Sequence, residues 1–173
     1  PESAPERLLV SINNGQGGVT SFTYGASTDS SVAGIVGRND PRWVVRSLTV
    51  SPGFGQPAMT TSYHYGNPVY GREDAAEVGP HWRGFDAITV DHSGQAGATS
   101  SRGVTEFQYD VDGVTGIAAD PGGHVAKADT YALNGGAFSP ITREQTSWEY
   151  ASIVGNNGRF IHARTRVTRT CEA

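Results

Sequence analysis

Residues 109–131 read YDVDGVTGIAADPGGHVAKADTY, and the turn signals in this stretch decide the fold class. Asp112-Gly113 falls between two short segments of strand propensity, and a two-residue turn that follows sheet twist needs positive φ, which Gly adopts without strain. Asp120-Pro121-Gly122-Gly123 is a second turn cluster, in which Pro fixes φ early and Gly supplies the left-handed position. The spacing predicts strand, turn, strand, turn, strand: a small antiparallel meander.

The same pattern continues outward in both directions. Upstream, Arg7 to Ile12 alternates with Leu8, Val10 and Ile12 on one face, Asn13 to Gly18 turns, and Val19 to Tyr24 returns with Thr20, Phe22 and Tyr24 together. Trp43 to Val50 reads as a strand stopped by Ser51 to Pro57, and Thr60 to Tyr65 follows; Trp82 to Phe85 leads into Ala87 to Asp91. Residues 25–40, 66–80, 93–101 and 133–140 read as loops. Gly103 to Asp110, Thr142 to Ala151 and Phe160 to Thr170 complete the set, with Asn157-Gly158 as a hairpin signal before the last. The expectation is an all-β, antiparallel meander of about ten strands joined by turns and short loops.

Composition agrees with that class and excludes others. The 173 residues include 23 Gly and 9 Pro but only 17% charged residues, which suits many short strands rather than long helices. The net charge is −4 and the 13 basic residues form no run, so no nucleic-acid surface is expected. No apolar run approaches the length of a membrane span, and the opening PESAPER has no signal-peptide layout. Residues 1–6 read as a mobile lead-in, and 1–173 as a single all-β segment, an excerpt of a larger chain. Cys171 is alone, so no intrachain disulfide forms, and no base lies near it in sequence.

Candidate chemistry is sparse. Glu73, Asp74, Glu77 and His81, joined by Asp86 and His92 if the flanking strands pair, could ligate a metal or share acid and base work, and a small hydrolase using the acidic 72–81 loop is one alternative. Their spacing matches no zinc motif. Asp110-Val111-Asp112-Gly113 begins like a calcium loop but lacks the later ligands, so its aspartates read as turn formers. His64, His124 and His162 are scattered, and no G-x-S-x-G occurs. No catalytic, cofactor-binding or metal residue is assigned. Aromatic residues recur at strand positions, and Trp82, Trp148 and Tyr65 are the candidates for contact with a sugar or partner; a carbohydrate- or surface-binding β module is the other alternative. The same spacing also suits cross-strand packing.

Tyr109, Asp110, Gly113, Asp120, Pro121, Gly123 and Tyr131 resemble one Rhs or YD repeat, with Asp129-Thr130-Tyr131 in place of the closing Tyr-x-Tyr-Asp. LLVSINNGQGGVTSFTYGAST at 8–28, PRWVVRSLTV at 41–50, the segments of 60–91, TEFQYD at 105–110 and RFIHARTRVTRTCE at 159–172 resemble the Rhs-containing B component of bacterial ABC (Tc) toxin complexes and SpvB-type relatives. The resemblance implies a segment of an Rhs-type β-sheet spiral or shell, a structural scaffold in virulence that encloses or supports a toxic cargo. It implies flanking Rhs repeats and a toxin cargo polypeptide as partners, a secreted or cell-surface bacterial location, and no cofactor.

Overall fold

The computed structural model describes residues 7–29, 42–70, 82–93, 100–109, 123–134, 137–152 and 159–171. They form β1 (Ser11–Asn13), β2 (Val19–Ala26), β3 (Trp43–Ser51), β4 (Met59–Tyr65), β5 (Pro68–Tyr70), β6 (Trp82–Phe85), β7 (Ala87–His92), β8 (Ser101–Gln108), β9 (His124–Asn134), β10 (Ala137–Ser152) and β11 (Arg159–Thr170). Nine strands make one antiparallel sheet in the order β1-β2-β3-β4-β7-β8-β9-β10-β11, and β5 pairs with β6 apart from it. The sheet does not close: β1 and β11 are its edges. Among the described residues no helix is long and apolar enough to cross a membrane.

Local chemistry explains the first hairpin. The Asn13 side chain accepts a hydrogen bond from the Gly15 N–H at 2.8 Å, and Asn14 accepts from Gln16 and Gly18 at 2.8 and 2.9 Å. These bonds let asparagine side chains stand in for backbone partners in the turn. The first strand is shorter than its alternation: it starts at Ser11 rather than Arg7, although Phe22 N–H still reaches the Val10 carbonyl at 2.9 Å.

Four expectations need correction. The outer strands of the 109–131 stretch are not separated by a third, because β8 pairs directly with β9, with Gln108 opposite His124 and Phe107 opposite Val125. Residues 110–122, which carry the expected turns at Asp112-Gly113 and Asp120-Pro121, the segment between them and the motif residues Asp110, Gly113, Asp120 and Pro121, lie outside the described residues. Residues 133–140 are the meeting ends of β9 and β10: Asn134 faces Ala137 and Leu133 faces Phe138, leaving only Gly135-Gly136 between them. Pro68–Tyr70, expected as loop, is β5. Finally, 82–91 is two strands in two sheets. Asp86 breaks it, its carboxylate accepting from Asn67 N–H at 2.6 Å and from Asn67 Nδ2 at 2.8 Å, while Gly66 N–H bonds the Ala87 carbonyl at 2.8 Å.

Register sorts the side chains, since residues directly opposite in an antiparallel pair share a face. Ser21, Thr49 and Thr60 lie in one row, Thr23, Ser47, Ser62, Asp91, Arg102 and Tyr131 in another, all on one face. The opposite face carries Phe22 beside Leu48, Val50 beside Met59, Tyr63 beside Val90 and Tyr65 beside Ile88. The sheet is amphipathic, yet its apolar face is only half-buried. Among the described residues Phe85 is the one buried apolar side chain, at 6% exposure.

Phe85 belongs to β6, and its ring lies 4.6 Å from that of Tyr65 and 5.0 Å from that of Trp82. The β5–β6 hairpin is thus a flap that covers one corner of the apolar face. Replacing Phe85 with Ala is expected to lower stability by about 3 kcal/mol, read as a fall in the urea midpoint of tryptophan fluorescence. An unchanged midpoint would show that the flap is not held by this ring.

Candidate functional site

Two clusters collect the side chains with chemistry to offer. The first lies under the flap. Trp82 packs edge-on against Tyr70 at 5.6 Å and against Phe85, and Phe85 links them to Tyr65. Tyr65 donates its hydroxyl to the Val45 carbonyl at 2.7 Å, and Tyr109 donates to the Phe85 carbonyl at 2.9 Å. Burial raises the pKa of both phenols, helped by Tyr63 at Tyr65 and by Asp86 at Tyr109. These groups stay neutral and act as donors.

Two glycines make room for Tyr109. Gly84 has φ +133°, and a Cβ there would stand 2.5 Å from the Tyr109 hydroxyl; a Cβ on Gly123 would stand 2.7 Å from the ring. Of the seven repeat-motif residues, the structure therefore joins Tyr109 and Gly123 by contact. Tyr131 goes elsewhere, and the other four lie outside the described residues.

Of the three expected contact residues, Tyr65 and Trp82 share the flap cluster, but Trp148 does not. Trp148 stacks on His124 at 4.6 Å and donates Nε1–H to the Val125 carbonyl at 2.9 Å. All three rings spend faces or polar atoms on their own chain. Of the acidic-loop set, Glu73, Asp74, Glu77 and His81 lie outside the described residues. Asp86 binds Asn67, and His92 Nδ1 pairs with Thr61 Oγ1 at 3.1 Å, so the two described members serve separate contacts.

The second cluster, which sequence reading missed, is a ladder of charges on the polar face. Asp129 is 3% exposed and takes Arg143 in a fork, with Nε on Oδ1 at 2.9 Å and Nη2 on Oδ2 at 2.9 Å. The Tyr131 hydroxyl donates to Oδ2 at 2.9 Å, and Lys127 Nζ lies 3.5 Å away while bonding Glu106 at 2.5 Å. Next to it, Asp91 holds Arg102 through two bonds of 2.6 and 2.8 Å, and the Arg102 guanidinium lies 4.1 Å over the Phe138 ring. The period-two spacing of Lys127, Asp129 and Tyr131 was the available signal. It could not name Arg143 or Glu106 as partners.

Chemically the ladder is saturated. Hydrogen bonds from Arg143 hold the Asp129 carboxyl below the usual carboxylate range, with Tyr131 and Lys127 adding to this against burial, which pushes it up. Arg102 does the same for Asp91. Each carboxylate is already committed to cations, and among the described residues no three His, Cys, Asp or Glu side chains could hold a metal. Beyond the ladder, Arg166 pairs with Glu144 at 2.8 Å and Arg164 lies 3.5 Å from Glu149, so the basic series of β11 is partly neutralised by β10.

Fold and site together define an open all-β protein of one large sheet and a two-stranded flap, with an aromatic cluster on one face of the large sheet and ion pairs on the other. No family model, curated protein or solved structure matches the chain.

Two outcomes test these contacts. Gly123→Ala is expected to push Tyr109 off the Phe85 carbonyl and to cost about 1–3 kcal/mol; Tyr109→Phe, which keeps the ring, costs about 1 kcal/mol. Equal stability of wild type and Gly123→Ala in urea would mean the ring does not sit between these glycines. Because the folded chain holds Asp129 below its unfolded pKa of about 3.9, the Asp129–Arg143 pair contributes fully above that pH and is lost as pH falls from there through the lower folded pKa. The urea-midpoint gap between wild type and Asp129→Asn should therefore be wide near neutrality and shrink as pH drops below 3.9. A gap constant down to strong acid would contradict the pairing.

Proposed function

We propose that the chain is a non-enzymatic scaffold segment of an Rhs-repeat shell, secreted or displayed by a bacterium, that encloses or supports a toxic cargo polypeptide. The observation that carries the reading is a nine-stranded antiparallel sheet whose apolar face is left half-buried, with Phe85 alone sealed among the described apolar side chains. A sheet of this kind is incomplete by itself: stability needs a second layer, further strands or contents against the apolar face. A shell supplies all three. Its polar face, stapled by Asp91–Arg102 and Asp129–Arg143, would meet water, and the edges β1 and β11 would meet neighbouring repeats.

Support also comes from what the candidate residues do. Tyr65, Trp82 and Trp148 are engaged in packing and internal hydrogen bonds, which suits a scaffold better than an open sugar platform. Residues 1–173 expressed alone are expected to elute as oligomers or to precipitate, and the gene on either side should encode further Tyr-Asp, Gly, Asp-Pro, Gly spacings. A monodisperse, stable monomer, or a gene with no further repeat, would sink the scaffold reading.

A further inference from the structure

The turn between β3 and β4 holds a residue that the scaffold does not use. Gly53, Phe54 and Gly55 have φ of +86°, +53° and +74°, and the Gln56 N–H bonds the Gly53 carbonyl at 3.0 Å. A β-turn with positive φ at both central positions is a mirror-image type I turn, whose central residues are ordinarily Asn, Asp or Gly. Phe54 occupies the first of them. It is the one non-glycine with positive φ among the described residues, and a bulky side chain there is an outlier that an ordinary hairpin would avoid. Its ring makes no return on that strain inside the chain, being 87% exposed. Strain kept without internal benefit points to use outside the molecule.

The surroundings say what kind of use. Five of the eight large apolar side chains exposed among the described residues, Leu9, Val10, Ile12, Phe54 and Met59, come from this end of the sheet. Ile12, Thr20, Val50 and Met59 form one row across β1 to β4 on the apolar face, next to the two turns. The turns touch: a Cβ on Gly53 would lie 2.7 Å from the Gly17 carbonyl oxygen, whereas Gly15 and Gly55 face open space. Residues 8–28 and 47–63, which build this end, contain no Asp, Glu, Lys, Arg or His. Such a tip can leave water without stripping the hydration of any charge. It also lacks the cations that an anionic surface or nucleic acid would need, and the arginines and charged rim by which protein interfaces gain orientation.

We propose that the Phe54 turn, with Ile12 and Met59 behind it, is an interfacial anchor for an uncharged, zwitterionic lipid surface. Phe54 enters the headgroup boundary first, and the apolar row at the sheet end follows. Contact is peripheral and independent of charge, so it is insensitive to salt. The anchor does not rest on the shell reading, because it uses neither edge pairing nor cargo.

Flotation with phosphatidylcholine vesicles tests it. The wild-type chain is expected to float with the vesicles equally in 0.1 and 1 M NaCl, at roughly the salt concentrations where screening differs most. Phe54→Asn should reduce the floated fraction by at least about fivefold while melting at the same or a higher temperature, since Asn accepts the left-handed region. Ile12→Asn should cause a smaller loss. The proposal is overturned if the wild type does not float, if Phe54→Asn floats as well as wild type, or if flotation needs anionic lipid and low salt. It is equally overturned if Phe54→Asn disperses a lipid-free oligomer in sedimentation velocity, which would make a second copy the occupant.

Discussion

Backbone pairing between adjacent strands is the constraint on which this structure depends, because so little apolar surface is sealed from water. Each of the eight junctions of the large sheet is antiparallel, and seven join strands that neighbour each other along the chain. The exception is β4 with β7, between which the chain makes the β5–β6 excursion. Among the described residues, that detour supplies the one apolar side chain sealed from water, Phe85. Asp86 sends the chain from one sheet to the other, Gly84 gives the backbone its left-handed bend, and Tyr109 pins Phe85 from the far strand. Where the connection is short, as at β1–β2, β3–β4 and β9–β10, local pairing also favours rapid formation, since the hairpin closes a short loop; β2–β3 and β8–β9 have longer connections.

What sequence reading could reach follows from this locality. Alternation and turn residues are local signals, so the strands over 19–24, 43–50, 60–65 and 160–170 and their antiparallel sense were legible. Failures came where a local signal has two outcomes. The turn signals Asp112-Gly113 and Asp120-Pro121 lie outside the described residues, and that β8 and β9 meet directly is a matter of pairing, which no local signal carries. Gly135-Gly136 is a two-residue hairpin signal, yet flanking Asn134 and Pro140 made the whole segment look like loop. Asp86 gave no warning, because its effect comes through Asn67, nineteen residues away.

The polar ladder was illegible for a different reason. Charged residues scattered along strands look the same whether solvated or paired; register alone brings Asp129 opposite Arg143 and Asp91 opposite Arg102. Asp129 is out of water because its partners lie over it, in a sheet only one layer thick around it. The fork with Arg143 outweighs the upward push of burial, and Tyr131 and Lys127 add to the fork, which is why that carboxyl is pushed down rather than up. The same ladder crosses β4, β7, β8, β9 and β10, fixing their register on the face where serines and threonines would allow slippage.

The two edges are unlike, and the difference bears on how the sheet is completed. β11 is long and exposed, but Arg164, Arg166 and Arg169 stud it and a bulge falls where Ser147 and Trp148 meet Thr165 and Ala163. Charges and bulges on an edge discourage a further strand. β1 has neither: it is three residues long, follows exposed Leu9 and Val10, and carries Ile12 toward the apolar face. Its inner side is occupied by β2, with Phe22 bonding Val10 and the Tyr24 hydroxyl bonding Leu9 at 2.7 Å. An uncharged edge whose backbone is already held in extended form loses less entropy on gaining a neighbour than a free segment would. A further strand would therefore meet less opposition at β1 than at β11, where Arg164 and Arg166 would first have to exchange Glu149 and Glu144 for a new partner.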